Sequence, residues 1–598
     1  MDYERRVSLA NESGKIFRVS ESYDAPMIRQ ALIERGFIEQ KAQPYNSVYL
    51  NINYALECNR IKNVQEYEQV ILYKICGNRA PDFAWVSRHE HYYLYPDSMC
   101  VNRIQIPGLS FVNKADLCCY VDKIQEILDN EDAHRMEKCE TESQISQETV
   151  TDADDEYETA SDDEEDNQVK NNKKGETNMA LVKRIRAGVS NEAIKLPRSY
   201  DIVYNSDEAA FKKNFRLGCA LGVVMFLNEQ PNIEDWFIEY GEDDDPSQIV
   251  GQRLKALDFI FHVIVTNIRV LEGQIDKSHV DERNCELSEA EWLYISRTHQ
   301  NTVRDKKKFK APAALKDIYV SRIKYVAEDI PYYWPERWHD GCNNIYLLKP
   351  CDSGNGYGII LLDAERKIIS VARCQKRKYI AQKYIERPLL IYGVKFDIRQ
   401  YFFITMHNNK FRAWAHDACT IKFATDQFTL DTLAENIHIT NVTIQKRFTR
   451  KPDDKLPKNN AWGMPDLLAY FAAIGKPNIW ETTLYPAIKK ILSYIAELSF
   501  RNCEIMNGRF EIFGCDWLIT EDFKTVLIEI NRSPSMDYYT PIHKVVLEEV
   551  LSDVIRVVID YAKDETSSTG RFEMIFEKDY SWIDTALMPY RFSLDSNW

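Results

Sequence analysis

In the segment Leu518–Met536, Glu529 and Asn531 stand two residues apart on an otherwise apolar run, so a strand points both the same way while Ile528 and Ile530 face a core. Just upstream, RFEIFGCDWLIT reads as a second strand carrying Asp516, and the polar TEDFK between them reads as a hairpin turn. Such a hairpin gathers Asp516, Glu529 and Asn531: three oxygen ligands with two negative charges and open positions left over. That set suits Mg²⁺ when nucleotide phosphates complete the octahedron.

A second run, Ile391–Thr405, reads as one strand in which Lys395, Asp397 and Arg399 alternate with Phe396 and Ile398, setting two cations and a carboxylate over an apolar layer. A third, NIYLLKPCDSGNGYGIILLD, reads as a strand ending in Lys349 and Pro350, a loop with Gly354, Gly356 and Gly358, and a strand from Ile359. Glycines let backbone N–H groups close over phosphates, and Lys349 adds a point charge there. No Gly-Lys-Ser/Thr follows and no helix opens after the loop, so neither a P-loop nor a dinucleotide-binding turn fits. A flexible glycine hairpin, a cationic strand and a carboxylate/amide pair on a late strand together describe an ATP-grasp site, with nucleotide between two α+β lobes.

On these residues the chain resembles the tubulin tyrosine ligase-like family, and within it the glycylase branch. The likeness runs through Lys349-Pro350 and the glycine loop, QKYIERPLLIYGVKFDIRQYF (382–402), ENIHITNVTIQKRF (435–448) and FEIFGCDWLITEDFKTVLIEINRSPSM (510–536). It extends to GKIFRVSESYDAPMIRQALIERGFIE (14–39) and VNRIQIPGLSFVNKADL (101–117). The resemblance implies that Asp516, Glu529 and Asn531 hold Mg²⁺ and that Lys349 with the Gly356, Gly358 and Ile359 hairpin covers the ATP phosphates. It further implies that Gln382, Lys383, Tyr384 and Ile385 receive adenine and that Lys395 and Asp397 contact the nucleotide. Arg399, Lys422 and Glu529 then serve the reacting groups. The implied reaction adds free glycine through an isopeptide bond to a glutamate γ-carboxylate in an acidic tubulin tail, by way of an acyl phosphate, with positioning and charge neutralisation as the enzyme's task. A polyglutamylase and a non-catalytic microtubule- or nucleotide-binding relative are the alternatives. The second draws on departures from the family pattern: Asn355 and Tyr357 stand where arginines flank the glycine, and Lys422 stands where an arginine would offer a bidentate fork.

The rest of the chain positions these runs. With 598 residues and 44% hydrophobic content it is long enough for several cores. Fourteen cysteines lack paired metal spacing, no apolar run reaches the length of a membrane span, and the N-terminus lacks a signal-type apolar core. The expected setting is cytoplasmic and cytoskeletal, including cilia, for a monomer that meets microtubules and free glycine but no nucleic acid or membrane interior. Cys118, Cys119, Cys351 and Cys515 read as incidental or buried thiols, and His416 and His438 as structural. Much of the net charge of −16 falls in Glu131–Asp166, too acidic and too short of aliphatics to order itself. Basic runs that could meet an acidic partner lie at Arg304 to Lys310, Lys376 to Lys378 and Lys446 to Lys451. The expected α+β organisation is a small α/β lobe over 1–125 with a helix near Ala25–Arg35, the acidic insertion over 126–178, a mainly helical region over 179–337, ATP-grasp lobes over 338–565 and a tail over 566–598.

Overall fold

The computed structural model describes residues 14–20, 26–40, 80–86, 99–104, 109–114, 116–117, 197–202, 205–241, 244–245, 247–274, 287–373, 377–450, 455–502, 505–532 and 534–580. The acidic insertion and Cys118-Cys119 lie outside these residues. The fold is mixed α/β.

Its largest sheet has 11 strands, centred on Lys410–Phe423, Val394–His407 and Arg509–Ile519. The first two are joined by Asn408-Asn409, both at positive φ (54° and 58°), the two-residue turn whose twist matches that of paired strands. The run read as one strand from Ile391 is instead two. Leu390–Ile391 folds back on Val394–His407 through Tyr392 (φ 50°) and Gly393 (φ 78°). Glycine readily adopts that conformation, so the chain turns where continuous apolar residues suggested extension.

Along Val394–His407 the even positions Phe396, Ile398, Phe402, Ile404 and Met406 enter one core with the helices Met464–Ala473 and Tyr485–Asn502. On the opposite face Tyr401 and Phe403 enter a second core, covered by helices Pro26–Glu34 and Pro541–Ile555, while Lys395, Asp397 and Arg399 continue the same face beyond that cover. The polar half of this strand face is therefore left for a site by the length of the helix layer.

Arg509–Ile519 pairs with Thr525–Asn531 as the expected hairpin, its turn tied by Thr520 and Lys524 backbone bonds and by Phe523 at φ 61°. A β-bulge between Asp516 and Trp517 changes the expected facing. Asp516 opposes Glu529 and Trp517 opposes Leu527, so Ile528 is the extra residue; Leu527 and Ile530 join the core, whereas Ile528 is only partly buried and lines the cleft described below.

The four-stranded antiparallel sheet, in the order Ile360–Leu362, Tyr346–Pro350, Tyr379–Lys383, Ser199–Tyr200, carries the glycine loop between its first two strands. Tyr346 and Leu348 face a helical core that includes helices Asn205–Asn228, Lys255–Leu271 and Ala313–Tyr333. Leu347 and Lys349 face the other way.

The expected boundaries cut across these layers. Ile16–Val19, Ile38–Glu39, Phe83–Trp85 and Cys100–Val101 form no sheet of their own but extend the large one in parallel, through Val101 opposite Arg509. The helical region contributes Ser199–Tyr200 to the four-stranded sheet and holds a three-stranded parallel sheet of Phe237–Tyr240, Phe309–Pro312 and Gln252–Arg253. Past residue 565, Phe572–Asp579 pairs with Lys410–Phe423, so what read as a tail closes an exposed sheet edge.

Candidate active site

Two clefts meet over the polar half of the large sheet. The first, about 620 Å³, lies between it and the four-stranded sheet and is lined by Lys349, Ile359, Gln382, Lys383, Tyr384, Ile385, Lys395, Asp397, Lys422, Asp516 and Glu529. The second, about 810 Å³, is lined by Arg399, Asn531, Thr420, Tyr539 and His543. They share Lys422, Asn441 and Glu529. Gly356 and Gly358 line neither. Their role is in the turn: both have positive φ (79° and 76°), and a Cβ on Gly356 would stand 2.8 Å from Asn441 Oδ1, so only glycine lets the loop close on that wall.

At the sheet end, the Arg399 guanidinium donates twice to Asp516, Nε at 3.0 Å and Nη2 at 2.9 Å, and Lys422 Nζ donates to the same carboxylate at 2.6 Å. Asn531 Nδ2 lies 3.1 Å from both Asp516 Oδ2 and Glu529 Oε1. Burial alone would raise the Asp516 carboxyl, but Arg399 and Lys422 override it and hold it well below the usual carboxylate range. Lys422 is therefore already paired with an anion of this chain, rather than standing ready for an external one. The donor set fits a hard divalent cation: two carboxylates converge on one point, now met by an amide N–H₂, and rotation of that amide would turn its oxygen there instead. Among the described residues no group of three or more His, Cys, Asp and Glu is placed to hold a metal, so the amide and substrate oxygens would have to complete the shell.

Further into the first cleft, Lys349 is 4% exposed and makes no ion pair among the described residues. Burial lowers its pKa, opposed by the nearby Glu529 carboxylate. A desolvated cation without a contact partner is a place for an anion. Lys395 Nζ donates to Asp397 Oδ1 at 2.9 Å, and Thr440 donates its hydroxyl to the other oxygen of Asp397. Lys383 lines the first cleft, but its ammonium is engaged elsewhere. Its Nζ donates to Glu386 Oε1 (2.9 Å) and to the carbonyls of Asp340 (2.9 Å) and Tyr384 (2.8 Å).

The segment His438–Asn441 forms a wall that residue spacing did not single out, although it lies in one of the family-like runs. Tyr384 donates its hydroxyl to His438 Nδ1 (2.8 Å) and His438 Nε2–H donates to the Thr432 carbonyl (2.7 Å); burial lowers this imidazole to about 4 and keeps it neutral. His416 lines neither cleft and packs on the far side against Asp553 and Phe572. Leu347, Leu518 and Thr420 were legible in principle, because each sits two residues from Lys349, Asp516 and Lys422 on its strand and shares that side chain's face. His543 carried no such signal, coming from a distant helix.

Cations also stand beside the glycine loop, though none is within it. Arg447 lies over the Tyr357 ring at 5.2 Å, Arg377 pairs with Asp352 at 3.2 Å and approaches Gly358, and Lys114 donates to the Ser353 carbonyl at 2.8 Å. Among the described residues, no helix is long and apolar enough to cross a membrane. Cys515 is fully buried, and Cys351 is half-buried.

Residues 275–567 match the model of the tubulin-tyrosine ligase family. The chain is similar to tubulin glycylase 3B of Drosophila melanogaster, 33% identical over 359 residues that cover 57% of this chain and 46% of that protein. It is also similar to protein monoglycylase TTLL8 of Mus musculus, 28% identical over 64% of this chain and 48% of that protein, and to tubulin monoglycylase TTLL3 of Danio rerio, 26% identical over 64% and 51%. The chain spans about half the length of these curated relatives. Residues 275–567, which contain every residue of both clefts, thus form a segment of the tubulin-tyrosine ligase family type, and glycylases are among the proteins the chain is similar to.

Proposed function

We propose that the chain is an ATP-dependent ligase that adds glycine to glutamate side chains of tubulin tails. The observation that carries this reading is the junction of the two clefts at Lys422, Asn441 and Glu529, which lets one bound substrate react with another across a carboxylate set. In this reading the two sheets are ATP-grasp lobes. The hinge Gln382–Ile385 offers backbone to adenine, with Leu347, Leu518, Ile528 and Ile439 packing its faces. Lys349 and Lys395 meet phosphate oxygens, and Asp516, Glu529 and Asn531 hold Mg²⁺, which supplies neutralisation of the phosphate charge. In the second cleft, Arg399, Lys422 and the buried, unpartnered Thr420 hydroxyl orient the acceptor. The acceptor carboxylate takes the γ-phosphoryl group of ATP and ADP leaves; the glycine amine then attacks the acyl carbon, phosphate leaves and the amine proton is released to solvent. Arg447, Arg377 and Lys114 around the loop support an active enzyme, because they return to its surroundings the positive charge missing at Asn355 and Tyr357.

The relatives named as glycylases favour glycine over glutamate as the incoming amino acid, and microtubules, including those of cilia, as the setting. Incubation of the purified chain with microtubules, ATP and Mg²⁺, with labelled glycine beside labelled glutamate, tests the reading. Incorporation of glycine alone is expected. Incorporation of glutamate alone makes the chain a glutamylase, and incorporation of neither ends the ligase reading.

A further inference from the structure

A third cleft, of about 990 Å³, opens in the helical region and shares no lining residue with the two described above. It lies where the edge strand Gln252–Arg253, the helix Glu289–His299 and the loop after the π-turn Gln300–Arg304 come together. Four cations line it, Arg253, Arg297, Lys307 and Lys308, and no carboxylate does, on a chain whose net charge is −16. Lys307 is paired with Asp305, but Arg253, Arg297 and Lys308 are exposed and make no ion pair among the described residues. The basic run Arg304 to Lys310 therefore divides on folding. Arg304 turns inward to Asp363 and the Leu430 carbonyl, and Lys306 to the Val303 carbonyl and the Phe226 ring, while Lys308 joins two arginines from distant elements.

Two features indicate what the cleft takes. Gln252 is clamped by its amide nitrogen to Thr302 Oγ1 (2.9 Å) and the Lys307 carbonyl (3.0 Å), which leaves its buried amide oxygen without a donor. Val250 beside it is 91% exposed. Cations without anions, an acceptor that lacks an N–H and an exposed aliphatic match a polypeptide rich in carboxylates, whose backbone supplies donors and whose side chains cover Val250.

We propose that this cleft is a docking site for an acidic polypeptide, which on the function proposed above is the tubulin tail, held at a second point away from the reacting carboxylate. The test compares wild type with the triple variant Arg253→Glu, Arg297→Glu, Lys308→Glu, all three side chains being exposed. Co-sedimentation at low salt uses intact microtubules, microtubules stripped of their tails by protease, soluble poly-glutamate as competitor, and a duplex oligonucleotide as control. The variant should lose tail-dependent affinity at least about tenfold, the sum of three exposed ion pairs near the middle of their usual range, with ATP affinity unchanged. Unchanged tail-dependent affinity overturns the proposal, as does wild-type binding that ignores tails and poly-glutamate or prefers the oligonucleotide. The binding readout is independent of catalysis: tail binding without incorporation of glycine or glutamate sinks the ligase reading and leaves the docking site, whereas incorporation with an unaltered KM for microtubules in the variant does the reverse.

Discussion

Behind the hinge, the Lys383 ammonium donates to Glu386 and to two carbonyls, and Glu386 also accepts from the backbone of Asn343 (2.7 Å) and Ile345 (2.9 Å). At the sheet end, Asp516 is equally buried, but its partners Arg399, Lys422 and Asn531 all line the clefts that substrates would enter. Both groups neutralise buried charge with good geometry. They differ in what a ligand can change. Lys383 lines the first cleft, but the Asn343 and Ile345 donors to Glu386 lie outside both clefts, so most of this network serves to hold the Gln382–Ile385 segment in shape. Asp516 could exchange these partners for a metal cation, and Arg399 and Lys422 could exchange Asp516 for a phosphate or an acceptor carboxylate, so on the proposed function that network holds the site while remaining replaceable. Buried ion pairs of similar appearance thus serve rigidity in one place and exchange in another, and the distinction lies in what their outer members face.

The largest effect is expected at the hinge. Glu386→Ala strands a buried ammonium and two backbone N–H donors and should remove about 3–5 kcal/mol of unfolding free energy in urea titration. A loss below about 1 kcal/mol, the worth of one ordinary hydrogen bond, would break the contrast between the two networks.

At the sheet end the effect should fall on activity instead. Glu529→Gln removes one charge from the proposed metal set at constant volume, so glycine incorporation should drop by at least about a hundredfold, in the range for loss of one transition-state charge stabiliser. The melting temperature should stay near the wild-type value. Unchanged turnover removes Glu529 from the metal set.

A pH titration separates the networks further. His407, His438 and His543 are held near pKa 4, chiefly by burial, against about 6.5 in the unfolded chain. The unfolded state therefore binds more protons between these values, and stability present above pH 6.5 is lost as pH falls toward 4, by up to about 1.4 kcal/mol per pH unit for each histidine. His438→Gln should flatten that slope by about one proton. An unaltered slope would mean that His438 is already charged in the fold. Asp516, depressed by Arg399 and Lys422, adds its own loss only below about pH 4, as pH falls toward its folded value.

The smallest effect sharpens the idea of exchange. Lys422→Met removes one competing cation from Asp516, so Mg²⁺ binding without nucleotide should tighten by about tenfold in calorimetry, the lower range for a charged hydrogen bond, while incorporation slows. Lys422→Arg should change Mg²⁺ affinity little, because Arg399 already holds both oxygens of Asp516. Weaker Mg²⁺ binding in Lys422→Met would show that the lysine supports the cation rather than competing with it.

Alternation on strands is a local property, and it suffices for the polar faces of this chain. Lys395, Asp397 and Arg399 share a face because side chains alternate, as do Glu529 with Asn531 and Leu347 with Lys349, and Gly356 and Gly358 mark a turn at positive φ that other residues would strain. Three kinds of fact needed the folded chain. The bulge at Asp516/Trp517 moves Ile528 from core to cleft, since one extra residue reverses facing beyond it. The destination of the Lys383 ammonium depends on Glu386 and Asp340, and a long flexible cation follows its partner rather than its strand. The grouping of Arg253 and Arg297 with Lys308, like the arrival of His543 beside Arg399, joins positions far apart in the chain, and neither periodicity nor composition contains that proximity.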